Sequence, residues 1–138
     1  MDDRERRRRG LKVRREVLGD AHVERAREAT DDFDAELQDL ITRYAWGELW
    51  TRPGLPRKLR SLITLAMLAA LGRHEELRFH VTAALRNGVT RDELKELLLH
   101  AAVYCGVPAA HSAFRVAREA LAADAPQPRG LRRARRRG

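Results

Sequence analysis

Residues Arg57–Leu71 read RKLRSLITLAMLAAL. The segment is basic over its first turn and then almost wholly apolar, dominated by leucine and alanine, which favour helix over strand. Pro56 opens it at a place where a missing N–H costs nothing, and Gly72 closes it. A helix apolar on every side is expected to lie buried at the centre of a helical domain. Its apolar run, Leu62–Leu71, falls well short of the roughly 18 residues of a membrane span. It also starts too far into the chain, and lacks the cleavage pattern, to be a signal peptide.

Working outward, helical signals continue on both sides. Downstream, Glu75–Asn87 ends at Asn87-Gly88, both tolerant of left-handed geometry. Thr90-Arg91-Asp92-Glu93 has the spacing of a capping box, and Leu94, Leu97, Leu98 and Ala101 carry that helix to about Cys105. Gly106-Val107-Pro108 interrupts it, and the alanine-rich Ala109–Ala122 forms a last helix. Upstream, a first helix spans Asp3–Leu18 and stops at Gly19, and a short one follows over His22–Ala29. A longer helix starts near Thr30–Asp32 and ends by Arg52, before Pro53. Its Phe33, Leu37, Leu40, Ile41 and Tyr44 recur at helical spacing, the stripe of a helix that faces a core. No strand pattern or glycine-rich phosphate loop interrupts the series. The fold class is therefore all-α, a compact multi-helix bundle of about six to seven helices over residues 1–124.

A chain of 138 residues is long enough for one domain with one real core. The net charge of +8 is concentrated: six arginines follow Pro128 with no acid among them, and without them 22 basic residues face 20 acidic ones. The segment 125–138 reads as a disordered arginine-rich tail, and no recognition motif accompanies it to indicate a specific nucleic-acid partner. One cysteine, Cys105, excludes an internal disulfide and a CxxC redox pair. With no membrane span, the expected location is the cytoplasm.

Candidate chemistry gathers in Ile41–Leu55, ITRYAWGELWTRPGL. Three of the seven aromatic residues, Tyr44, Trp46 and Trp50, fall within seven positions there, with Glu48 between the tryptophans and Arg43 and Arg52 on either side. An apolar wall with charges set against it is how small-molecule sites are built, although a core helix gives the same periodicity. Arg57 and Arg60 open the following helix, where an anion would relieve their opposition to the helix dipole and acids such as Glu48 would also serve. Of five histidines, His80 shares a helix face with Leu77, Val81 and Ala84, and a buried imidazole can move protons near neutral pH. His22 and His74 read as exposed. His100 lies one turn after Glu96, but nothing completes a metal-ligand set, so no metal is expected.

The Ile41–Leu55 block, the stretch from Arg60 to Phe114 and the N-terminal GLKVRREVLGDAHV together resemble the carboxymuconolactone decarboxylase family, within the alkylhydroperoxidase-like superfamily. The broad superfamily pattern is His80, then Ala84-x-x-x-Gly88-x-Thr90, then Tyr104-x-Gly106-x-Pro108. The block YAWGE-x-WTRPGL is much more specific to the decarboxylase branch than that broad pattern. Alkylhydroperoxidase-like members place a CxxC pair before the matching histidine, whereas Arg73 and Glu76 stand there in this chain. A disulfide-relay peroxidase therefore lacks its sulfurs. One departure is His111, where the decarboxylases carry asparagine.

The resemblance implies an orthogonal bundle of the alkylhydroperoxidase-like type and a homo-oligomer, a hexamer built from dimers. It also implies cofactor-independent decarboxylation of 4-carboxymuconolactone to 3-oxoadipate enol-lactone in the protocatechuate branch of the β-ketoadipate pathway. The partner is then a small carboxylated lactone whose conjugated carbonyl receives the electron pair, so no cofactor is required. On this reading His80 and Glu48 are the catalytic candidates. Arg43, Arg52 and Arg60 are carboxylate clamps, Trp46 and Trp50 the dry cage, and His111 a further substrate contact. The alternatives are a non-catalytic scaffold member using the tail, or a decarboxylase of a related lactone or β-keto acid.

Overall fold

The computed structural model describes residues 1–124; the expected disordered tail, 125–138, lies outside the described residues. Seven α-helices and one π-helix follow in order: α1 (Asp3–Leu18), α2 (Asp20–Ala29), α3 (Ala35–Ile41), the π-helix (Thr42–Leu49), α4 (Arg57–Leu71), α5 (His74–Arg86), α6 (Arg91–Cys105) and α7 (Val107–Asp124). None among the described residues is long and apolar enough to cross a membrane.

Local signals set the boundaries. Asp2 caps α1 by accepting from the Glu5 N–H at 2.8 Å. Thr90 and Glu93 close the capping box of α6 in both directions, at 3.1 and 3.0 Å. Gly19 and Gly106 end α1 and α6 at φ of 92° and 99°, where a side chain would be strained. Pro108 does not delay α7, because the first turn of a helix needs no N–H there.

Two apolar clusters organise the packing. The larger joins α4 to α7 through Leu65, Ala69, Leu77, Val81, Leu94, Leu98 and Val116. Buried Ser61 accepts from the Asn87 side chain at 2.9 Å and ties α4 to the end of α5. The second cluster gathers Val13, Val17, Leu18, Val23, Trp46, Trp50 and Ala83 between α1, α2, the π-helix and α5. Helix α5 serves both clusters, giving Leu77, Val81 and Ala84 to one and Ala83 and Phe79 to the other.

Two expectations are corrected. Helix α4 is not buried on every side: Leu59, Ile63, Met67 and Leu71 form an exposed ridge at four-residue spacing, and only Ser61, Leu65 and Ala69 are fully enclosed. The stripe of the third helix also turns outward. Phe33 is 95% exposed, and Leu37, Leu40 and Tyr44 are exposed with it, leaving Ile41 half-buried against the core. Both helices spend their opposite faces on their own chain.

Candidate active site

The wall of the site begins where two backbones touch. A Cβ on Gly10 would lie 2.0 Å from the Thr42 carbonyl oxygen, and one on Gly47 would lie 2.3 Å from that of Arg6. Only glycines let α1 and the π-helix approach this closely. The wound-out turn carries Trp46 and Trp50 inward, with the Trp50 N–H donating to the Ala45 carbonyl at 3.0 Å, five residues back. Wide turns of this kind often sit at functional sites. The indoles lie 5.0 Å apart at 33° and are 5% and 7% exposed.

His80 projects from α5 onto this wall. Its ring lies nearly parallel to Trp46, at 13° and 6.4 Å, and 4.9 Å from Phe79. Phe79 in turn packs on His22 of α2 at 4.5 Å. Burial in this aromatic setting, reinforced by the nearby His22, pulls the His80 pKa down to about 4, with Glu76 opposing weakly. His80 is therefore a neutral imidazole at physiological pH. Neither of its nitrogens has a hydrogen-bond partner among the described residues. Burial, then the charges of Arg14 and Arg25, also lowers His22. Contrary to the sequence reading, His22 and His74 are part-buried.

The remaining candidates are placed as follows. Glu48, in the π-helix beside the tryptophans, accepts from the Arg6 Nε at 3.0 Å. Arg43 is held by Asp39 at 2.7 Å and Asp3 at 3.4 Å. Hydrogen bonds from Arg7 and Arg43 keep the Asp39 carboxyl at about 2. Arg57 pairs with Glu16 at 2.7 Å. Arg52 is exposed, and its carbonyl accepts from Arg60 at 3.3 Å; the Arg60 Nε is buried without a partner among the described residues. His111 is exposed on the first turn of α7. The structure thus brings Trp46, Trp50 and His80 together, and commits Glu48 and Arg43 to ion pairs. Sequence reasoning missed His22 and Phe79.

Chemically, an apolar wall with an uncharged imidazole laid against it suits an anion that is losing its charge. Comparison with known proteins points the same way. Residues 35–119 match the Carboxymuconolactone decarboxylase family. A 4-carboxymuconolactone decarboxylase of Acinetobacter baylyi is 55% identical over 86% of this chain and 89% of its own length. A nitrosuccinic acid decarboxylase of Metarhizium robertsii is 46% identical over 81% of this chain and 78% of its own. A 4-carboxymuconolactone decarboxylase sequence of Pseudomonas putida is 52% identical over 35% of this chain and 100% of its own length. The chain belongs to the carboxymuconolactone decarboxylase family.

Proposed function

We propose that this member of the carboxymuconolactone decarboxylase family releases CO2 from 4-carboxymuconolactone, giving 3-oxoadipate enol-lactone in the protocatechuate branch of the β-ketoadipate pathway. The observation that carries the reading is the 55% identity, spread over most of both chains, to a decarboxylase of that name. The placement of His80 against Trp46 supports it.

The reaction breaks the bond between the ring carbon and its carboxylate. The electron pair moves through the ring double bond onto the lactone carbonyl oxygen, forming a 2-oxyfuran-like dienolate, and a proton then adds to the carbon beside that carbonyl. Neutral His80 donates an N–H to the developing oxyanion, where a preset donor counts most. Negative charge developing on the lactone oxygen as CO2 leaves raises the pKa of the imidazole beside it, so His80 takes up a solvent proton at that stage and passes it to the ring carbon. Trp46 and Trp50 offer the departing carboxylate surroundings that suit CO2 better than an anion. Glu48 handles a proton at the π-helix, and Arg52, Arg60 and His111 are rim contacts.

The test is CO2 release from the lactone, generated in place. Wild-type turnover should fall by roughly two to four orders of magnitude in His80→Gln. Equal release by both removes His80 from the mechanism. The relative named for nitrosuccinic acid favours a second substrate, also a dicarboxylic acid with an electron acceptor beside the breaking bond. Faster CO2 release from nitrosuccinic acid than from the lactone would reverse the assignment. Removal of residues 125–138 should leave turnover intact; loss of turnover would favour a role for that segment.

The working form on this reading is a homo-oligomer, a hexamer built from dimers. The outward ridges of α3 and α4, with Leu99, Val103, Tyr104 and Val107 on α6 and α7, expose more apolar side chain than a monomer ordinarily carries. Sedimentation of a monomer at micromolar concentration would overturn this, and Met67→Glu should weaken the assembly.

A further inference from the structure

Between α1, α2 and α3 lies a cavity of about 390 Å³. Four arginines line it, Arg7, Arg14, Arg15 and Arg27, against one acid, Asp39. Of these five charges three are already engaged, and Arg27 is exposed to solvent. Asp39 accepts from Arg7 at 2.6 Å and from Arg43 at 2.7 Å, and Arg15 is bonded to Glu24.

Arg14 differs. It is half-buried, and among the described residues it meets no acid. Its Nη1 donates to the Thr42 hydroxyl at 3.4 Å and its Nη2 to the Gln38 amide oxygen at 3.1 Å, both neutral. Its Nε is buried without a partner. Burial lowers its pKa, as expected of a guanidinium short of counter-charge. An anion entering the cavity would supply that charge.

The cavity shares a wall residue with the cluster that carries the candidate active site. Val23 stands in its wall and in the cluster around Trp46 and Trp50, and the adjoining His22 packs on Phe79 beside His80. The proposed substrate has two carboxylates with opposite needs. The one that leaves becomes neutral CO2, so a cation paired with it would stabilise the ground state and oppose the reaction. The one on the acetate arm keeps its charge throughout, and a cation there binds substrate and transition state alike.

We infer that Arg14 anchors the acetate-arm carboxylate in this cavity, leaving the ring carboxylate to the apolar wall by His80. The inference rests on the proposed decarboxylation. Uniform binding of this kind appears in KM and not in kcat. Arg14→Gln should raise KM about tenfold or more with kcat within about threefold, and Arg14→Lys, which keeps the charge and loses the fork, should fall between.

The decisive measurement is calorimetric binding of two ring-saturated lactones, which lack the double bond that accepts the electrons and so cannot react. One carries both carboxylates and the other only the ring carboxylate. Arg14→Gln should weaken the first about tenfold and leave the second unchanged. Equal loss for both, unchanged affinity for the first, or no binding of the first by wild type would each overturn the anchor. So would a lowered Tm with wild-type affinity, because a mere tie to Gln38 and Thr42 predicts that result. Should the wild type release no CO2 yet bind the dicarboxylate through Arg14, the decarboxylation falls and the anchor stands.

Discussion

The larger cluster within α4–α7 and the smaller one between α1, α2, the π-helix and α5 are built from unlike materials. The buried residues of the first are aliphatic, leucines, valines and alanines in helices that follow one another in the chain, with Phe114 packed at its edge. The second holds two indoles and Phe79, with an uncharged imidazole laid against them. It is closed by elements distant in sequence, α1 and α2 meeting the π-helix and α5. The difference shows a division of labour. Aliphatic side chains fill space without polar atoms to satisfy, whereas indole and imidazole rings bring hydrogen-bonding edges that a ligand can use. Helix α5 has a face in each, so chemistry on one face rests on packing at the other.

The largest effect that separates the two halves is expected from Leu65→Ala, which empties a fully buried site in the aliphatic cluster. It should cost about 2–5 kcal/mol in denaturant unfolding while turnover per folded molecule stays near wild type. Equal loss of turnover and stability would show that the halves are not separable. Gly47→Ala probes the other half. A methyl group 2.3 Å from a backbone oxygen must push α1 and the π-helix apart, at a cost of about 3 kcal/mol. Because Trp46 moves with that backbone, turnover should fall too, and a stable, fully active Gly47→Ala protein would contradict the close crossing.

Acid sharpens the comparison further. His80 has its folded pKa depressed to about 4 from the usual 6.5, so the unfolded chain binds the proton first as pH falls. Its contribution to stability is complete above pH 6.5 and is lost as pH falls toward 4, by no more than about 3 kcal/mol. His22 acts with the same sign. Asp39, held at about 2, adds a separate loss only below its usual 3.8. Unfolding free energy measured from pH 8 to 3.5 should therefore slope downward in wild type and less so in His80→Gln; identical slopes would remove His80 from this account. The smallest effect is local to α6: Thr90→Ala, which opens the capping box, should cost about 1 kcal/mol and leave turnover alone.

Much of the fold was legible because helix boundaries are written in caps and glycines. Gly19, the Thr90–Glu93 box and the Pro56–Gly72 limits of α4 all act within a few residues of themselves. What apolar periodicity reports is that a face seeks cover, not which surface covers it. The ridges Phe33–Tyr44 and Leu59–Leu71 were thus assigned to the wrong side. The π-helix has no composition of its own; the α1 crossing at Gly10 and Gly47 accompanies it, and that contact joins residues 37 positions apart. In the candidate site, the indoles and His80 stood out by type and spacing. His22 and Arg14 did not, since a histidine and an arginine in charged helices carry no local mark of the cavity beside them.

For anyone wishing to change what this protein accepts, the glycine crossing divides the site into fixed and adjustable parts. Trp46 and Trp50 hang from a backbone pinned against α1, so resizing the pocket there means moving two helices at once. His22 and Val23 come from α2, which follows the Gly19 break and takes no part in the glycine crossing. Substrate range is therefore better tuned from α2 and from Arg14 than from the aromatic wall.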